Sequence, residues 1–196
     1  LITKKKLDKI KKIVDLFVGK DRMKHIVGTA KFAETLAKVH GLDTTVAQFL
    51  GYAHDLFRDF SEDRLVRMAN VFGLKVTPED REFPILLHGK LAAEYVRLKF
   101  NISDDDILDA IRYHTSGFKD FGVYGKLLFL ADSLEETRNY PNVSYLREIA
   151  FKDLDMAFFE VMKNKLIYAL SRNLLILNES IECWNYLIRK RKGGLL

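Results

Sequence analysis

Residues 44–58 read Thr44-Thr45-Val46-Ala47-Gln48-Phe49-Leu50-Gly51-Tyr52-Ala53-His54-Asp55-Leu56-Phe57-Arg58. At about 100° per residue, Val46, Phe49, Leu50, Ala53 and Phe57 share one face, so the stretch predicts an amphipathic α-helix with its apolar stripe in a core. His54, Asp55, Gly51 and Arg58 fall together beside that stripe, which puts the His-Asp doublet at the border of the interior. Gly51 stands one turn before Asp55. Glycine is a poor helix former, so its place there predicts either the close approach of another element or a ligand, or ordinary helix packing.

The same spacing of three and four recurs along most of the chain, as in Met23, Ile26, Val27, Ala30, Ala33 and Ala37. It predicts helices over 4–17, 22–39, 44–58, 62–72, 85–100, 104–114, 124–138, 145–172 and 180–191. Pro78, Pro84 and Pro141 lie between these segments, where a helix must stop or start. Ser61 and Ser103 precede acidic first turns as N-caps, Gly41, Gly73 and Gly117 suit helix ends, and 122–125 and 140–144 read as loops. No alternating run is long enough for a sheet. The expected fold is all-α, a single helical domain over residues 1–196, with a motif-bearing core at 20–140 and C-terminal helices packing on it.

Composition agrees with that class. A chain of 196 residues, 48% of them hydrophobic, suits one sizeable core and is short for two large domains. The single cysteine, Cys183, excludes an internal disulfide framework and agrees with a reducing compartment. No apolar stretch approaches the roughly 20 residues of a membrane span. Lysines interrupt the first residues, LITKKKLDKIKK, where a signal peptide would be apolar, so a cytoplasmic protein is expected. The net charge of +5 suits polyanions, nucleic acid or a phosphate-rich small molecule. The basic runs Lys4–Lys6, Lys11-Lys12 and Arg189–Lys192 lack interleaved aromatics and read as solvated faces, which weighs against nucleic acid. The Tyr, Phe and Leu content is enough to supply a homodimer surface.

Polar residues beside the apolar stripes narrow the chemistry. Arg22 and His25 lie one turn apart at the edge of their stripe, with Thr29 following. His88 stands close to a helix start, with small Ala92 on its next turn. His114 continues the face of Ile107, Ala110 and Ile111, and just precedes Thr115-Ser116-Gly117, where hydroxyls and end-of-helix amides suit phosphate oxygens. Asp132 lies inside the apolar run 127–134, where a carboxylate needs a cation or donor, Arg138 being one candidate. Any one such histidine is more often a hydrogen-bonded core residue than a ligand. Four of the five histidines, on four predicted helices, nevertheless border an apolar face, and only His40 stands apart. Imidazole with carboxylate suits transition metals rather than calcium or magnesium.

At these residues the chain resembles the HD superfamily of metal-dependent phosphohydrolases, whose His-Asp doublet His54-Asp55 reproduces. The strings Arg22-x-x-His25, Gly51-Tyr52-Ala53-His54-Asp55, Leu87-His88-Gly89, His114-Thr115-Ser116-Gly117 and Ala131-Asp132 with Glu135 and Arg138 are similar to the YqeK-type branch. The likeness runs from Arg22 to at least Asp155. Members of that branch split diadenosine tetraphosphate symmetrically into two ADP. The resemblance implies a helical bundle with a metal site in a central cleft. It implies that His25, His54, Asp55 and Asp132 hold one metal and that Asp55 bridges to a second. His88 and His114 would ligate that second metal or contact phosphate. Iron is the metal implied, in a binuclear centre, while manganese, cobalt and zinc suit the same donors. Catalytic roles fall to His54, Asp55 and Arg58, and substrate binding to Arg22, His88, His114, Thr115, Ser116, Gly117 and Arg138. Arg58 stands where many HD enzymes carry lysine and keeps the charge but is a poorer proton donor, so it is read as a phosphate binder. Ser116 stands where threonine is common and keeps the hydroxyl. Another HD nucleotide phosphohydrolase or phosphodiesterase would use the same histidines.

Overall fold

The computed structural model describes residues 1–194, so the last two residues of the expected domain lie outside it. Among the described residues there are eleven α-helices and no strand. They are α1 Lys4–Phe17, α2 Lys20–Val39, α3 Thr44–Ala53, α4 Glu62–Val71, α5 Pro78–Glu82, α6 Leu87–Phe100, α7 Asp105–Arg112, α8 Val123–Leu134, α9 Val143–Ala150, α10 Leu154–Ser171 and α11 Asn178–Lys192. A short 3-10 turn, Pro84–Leu86, precedes α6. No described helix is long and apolar enough to cross a membrane.

Several boundaries differ from the sequence expectation, each for a local reason. The helix through the His-Asp doublet stops at Ala53, because the carbonyl of Gly51 accepts a hydrogen bond from the His54 ring and 3-10 turns follow it. The expected 145–172 helix is two, α9 and α10, divided where Asp153 turns extended and its carboxylate accepts the amides of Asp155 and Met156. Asp104, not Ser103, caps α7. The 122–125 segment is mostly helix: Asp106 of α7 accepts the first-turn amides of Tyr124 and Gly125, so α8 starts at Val123. The five-residue α5, too short to show a period, is set by a capping box between Thr77 and Asp80 with Pro78 in its first turn. Gly41, Gly73 and Gly117 do end helical turns, at φ of +67°, +66° and +75°.

Two groups of buried apolar residues form the core. One joins α1, α3, α4, α6 and α7 through residues such as Ile10, Phe49, Leu65, Leu91 and Ile111. The other joins α2, α8, α9, α10 and α11 through Leu36, Phe129, Leu146, Phe158 and Leu187. Helices α2, α3 and α8 contribute to both groups. Where α2 and α3 cross, a Cβ on Gly51 would overlap Ala30 Cα and sit 2.7 Å from its backbone nitrogen. The glycine therefore serves the close approach of another helix. His40, outside the predicted site, donates to the Ala150 carbonyl at the end of α9 (2.7 Å).

Candidate metal centre

Five elements converge on one buried cluster. His25 comes from α2, His54 and Asp55 from the end of α3, His88 from the first turn of α6, His114 from the turn after α7, and Asp132 from α8. His54, Asp55, His88, His114 and Asp132 are all buried, and His25 is nearly so. The ligand atoms of His25, His54 and Asp55 lie within 4.8 Å of one another, as do those of Asp55, His88 and His114. Asp55 belongs to both sets through different oxygens. Its Oδ2 faces His54 Nε2 (3.6 Å) and His25 Nε2 (3.9 Å), and its Oδ1 faces His88 Nε2 (3.3 Å) and His114 Nε2 (3.4 Å). Asp132 Oδ1 joins the first set, 3.1 Å from His25 Nε2 and 3.9 Å from His54 Nε2.

Every one of the four rings is held by its outer nitrogen. His54, His88 and His114 each direct Nδ1 at the carbonyl three residues back, those of Gly51, Ile85 and Ile111. His25 directs Nδ1 at Glu135 Oε1 (3.1 Å). A carbonyl can only accept, so Nδ1 carries the proton in those three rings and Nε2 presents a lone pair. Yet the Nε2 atoms of His25 and His54 lie 3.3 Å apart, and those of His88 and His114 3.1 Å apart. In the His88–His114 pair two lone pairs face each other at that distance, which calls for a cation, whereas the His25 ring, with a carboxylate on its Nδ1, can carry a proton on the Nε2 that faces His54. Imidazoles fixed through Nδ1 with carboxylates between them are the donor set of a transition-metal centre, and the residues fit one.

Burial and charge set the protonation of the cluster. Burial lowers His54 to about 4 and also lowers His88, which keeps both neutral near pH 7. Burial acts to raise Asp55, but His54, His114 and His88 outweigh it and hold the carboxyl below its usual range. Burial acts to lower His25, but its bonds to Asp132 and Glu135 prevail and lift it to about 9. Asp132 is likewise held low against burial, by His25, Lys165 and the neighbouring histidines.

Around the cluster the expected residues divide. Arg22 Nη1 donates to Asp55 Oδ2 (3.0 Å) while its Nε reaches Asp59 (3.4 Å). Arg138 grips Asp132, through Nη2 to Oδ1 (2.8 Å) and Nε to the backbone carbonyl (2.9 Å). Both arginines line an open cleft of about 450 Å³ with His25, Glu135 and Tyr140. The Thr115 hydroxyl lies 3.2 Å from His114 Nε2. Ser116 is turned inward, its hydroxyl bonded to the Gly117 carbonyl, and the Gly117 amide closes the turn on Tyr113. Arg58 is half-buried and makes no side-chain hydrogen bond or ion pair among the described residues.

Sequence reasoning gave no role to Glu135, Asp59 or Lys165. Glu135 stands one turn after Asp132 in the motif-bearing stretch, and Gly28 makes room for it: a Cβ there would lie 2.6 Å from Glu135 Oε2. Asp59, four residues after Asp55, is near enough in sequence to have been noticed. Lys165 comes from α10, far along the chain, and no local spacing points to it.

Helices enclosing two histidine–carboxylate sets that share one aspartate make this a helical protein with a metal-binding type of cleft. Comparison with known proteins agrees: residues 22–137 match the HD domain family model. The chain belongs to the HD domain family. It is 33% identical over 175 residues to the symmetrical bis(5'-nucleosyl)-tetraphosphatase of Halalkalibacterium halodurans, covering 87% of this chain and 91% of that one. It is 29% identical to the protein of the same name from Bacillus subtilis, over 84% of this chain and 88% of that one. A crystal structure from Clostridium acetobutylicum, described as a predicted HD superfamily hydrolase involved in NAD metabolism, superposes with a TM-score of 0.86 at 28% identity, covering 93% of this chain and 97% of that one.

Proposed function

We propose that this chain hydrolyses dinucleoside tetraphosphates such as diadenosine tetraphosphate symmetrically, into two nucleoside diphosphates, and that a single HD domain carries the activity. The names of its full-length relatives support the substrate class. The observation that carries the reading is Asp55, whose two oxygens face different histidine pairs. In this reading His25, His54, Asp55 and Asp132 would hold one metal and Asp55, His88 and His114 a second, iron being the proposed metal, while manganese, cobalt and zinc suit the same donors. Such ions supply Lewis-acid charge at the attacked phosphoryl group and make water a nucleophile near neutral pH.

The remaining work falls to the chain's own side chains. Arg22 and Arg138, both in the cleft, bind and orient the polyphosphate. The Thr115 hydroxyl, beside His114, serves a phosphate oxygen, and Ser116 and Gly117 keep the turn that presents it. A nucleoside diphosphate is already a good leaving group, so fixed positive charge helps its departure more than a dedicated acid would. Arg58, half-buried with no partner among the described residues, is assigned that charge.

The test is turnover of diadenosine tetraphosphate by purified protein of known metal content, in labelled water. Two ADP are expected, with one solvent oxygen in one of the two molecules. AMP plus ATP as products, or full activity in Asp55→Ala, would overturn the reading.

A further inference from the structure

Lys165 projects from α10, beyond the residues 22–137 that match the HD model. Its ammonium lies 4.0 Å from Asp132 Oδ2 and donates a long hydrogen bond, 3.4 Å, to the carbonyl of Thr115. It also sits over the buried Phe129 ring, 4.2 Å from the centroid. One side chain thus reaches Asp132 of the first metal-ligand set and the residue next to His114 of the second. We propose that Lys165 is a substrate-contacting cation that grips the polyphosphate between these two halves of the centre, an inference that rests on the phosphohydrolase reading above.

The alternative, that Lys165 is simply the counter-ion of Asp132, fits the distances poorly. Asp132 Oδ1 already has Arg138 at 2.8 Å and His25 at 3.1 Å, while Lys165 stays at the outer limit of an ion pair with Oδ2. An ammonium has three donors, and this one makes a single long hydrogen bond among the described residues. A half-buried ammonium with spare donors is costly, and an arriving phosphate offsets that cost. The Phe129 face and the Thr115 carbonyl meanwhile hold the charge in position before any ligand binds, which is what electrostatic preorganisation requires. Lys165 faces the centre from the C-terminal helices, whereas Arg138 follows α8 and Arg22 comes from α2. Arg22 and Arg138 line one cleft, and Lys165 adds a third cation from a separate helix.

The experiment compares the metal-loaded full chain with its Lys165→Met and Lys165→Arg variants by three measurements: bound metal, diadenosine tetraphosphate kinetics, and calorimetric affinity for inorganic pyrophosphate. For Lys165→Met we expect unchanged metal content, a fall in kcat/KM of about 10- to 100-fold carried mainly by KM, and a comparable weakening of pyrophosphate binding, the loss expected for one charge-assisted hydrogen bond. Lys165→Arg should recover most of both. Unchanged kinetics and pyrophosphate affinity in Lys165→Met would overturn the proposal. So would metal loss in proportion to activity, which would make Lys165 only a support for Asp132. If the wild type does not cleave the tetraphosphate but binds pyrophosphate more tightly than Lys165→Met, the substrate reading fails while the anion-contacting role stands.

Discussion

Glu135 meets the Nδ1 of His25 at 3.1 Å from a fully buried position, while the other three site histidines lean on backbone carbonyls. A carboxylate on the outer nitrogen makes the imidazole more basic and fixes its ring plane, so His25 should be the most strongly donating ring of the cluster. Glu135 is itself held by the Thr137 amide (2.8 Å) and hydroxyl (2.5 Å) and by Arg138 at 3.6 Å. Glu135→Gln keeps the shape and removes the charge. We expect the fold to survive and metal affinity to fall about 10- to 100-fold, read as metal retained after dialysis against a graded chelator. Retention equal to wild type would mean that the carboxylate does nothing beyond filling space.

Two glycines with different reasons for being glycine should respond differently to alanine. At Gly51 the added methyl would run into the α2 backbone at Ala30, and a shift of α3 would move the His-Asp doublet while a shift of α2 would move His25. Gly73 has φ of +66° but open space around the methyl. Gly73→Ala should cost about 1 kcal/mol, the ordinary left-handed penalty. Gly51→Ala should cost about 3 kcal/mol or prevent folding, as overpacking at a backbone crossing does. Urea unfolding of the two variants side by side checks the order, and equal losses would contradict it.

Asp80 is buried at the start of α5, where it completes the capping box and meets Lys90 at 2.6 Å and 2.9 Å. Removing Lys90 leaves that carboxylate without its cation, so Lys90→Met should destabilise by about 3 kcal/mol. A double variant with Asp80→Asn should lose less than the two single losses summed, because the stranded charge is gone. Additive losses would show that the pair does not interact.

The helical class was legible in the sequence because it depends on local spacing, and so was the place of the histidines beside apolar stripes; that they form one ligand set was implied only by the resemblance to the HD superfamily. Ile26, Ala30 and Ala33 sit where a 3.6-residue period puts them, and four histidines beside such stripes do meet in one cluster. Three things were not legible. The end of α3 depends on the His54 ring taking the Gly51 carbonyl, a competition that no propensity records. The inward turn of Ser116 is set by its bond to Gly117, so hydroxyl chemistry alone misjudged which side of the turn it faces. Lys165 arrives by tertiary packing of α10, and its role depends on neighbours more than thirty residues away in sequence, Asp132 among them.

Cys183 gives a pH signature separate from the metal-ligand cluster. Its thiol is wholly buried in the second core group, and burial, reinforced by Asp120, pushes its pKa up from 9.0 to about 12. Below about 9 the thiol is protonated in both folded and unfolded chains, and its contribution to stability is fully present. Between about 9 and 12 the unfolded chain gives up the proton while the folded chain keeps it, so the unfolded state binds fewer protons and stability falls as pH rises. The whole window is worth up to ~4 kcal/mol. Tyrosines and lysines titrate over the same range, so the comparison must be made against Cys183→Ala, which retains them. We expect the wild type to lose more unfolding free energy than the variant between pH 8.5 and pH 10.5, by roughly 1–2 kcal/mol, given that the unfolded thiol titrates near the start of that interval. Native protein should also resist iodoacetamide at pH 8.5 and react promptly once unfolded in urea. Parallel stability curves, or fast alkylation of the folded chain, would show that the thiol is not sealed in the core.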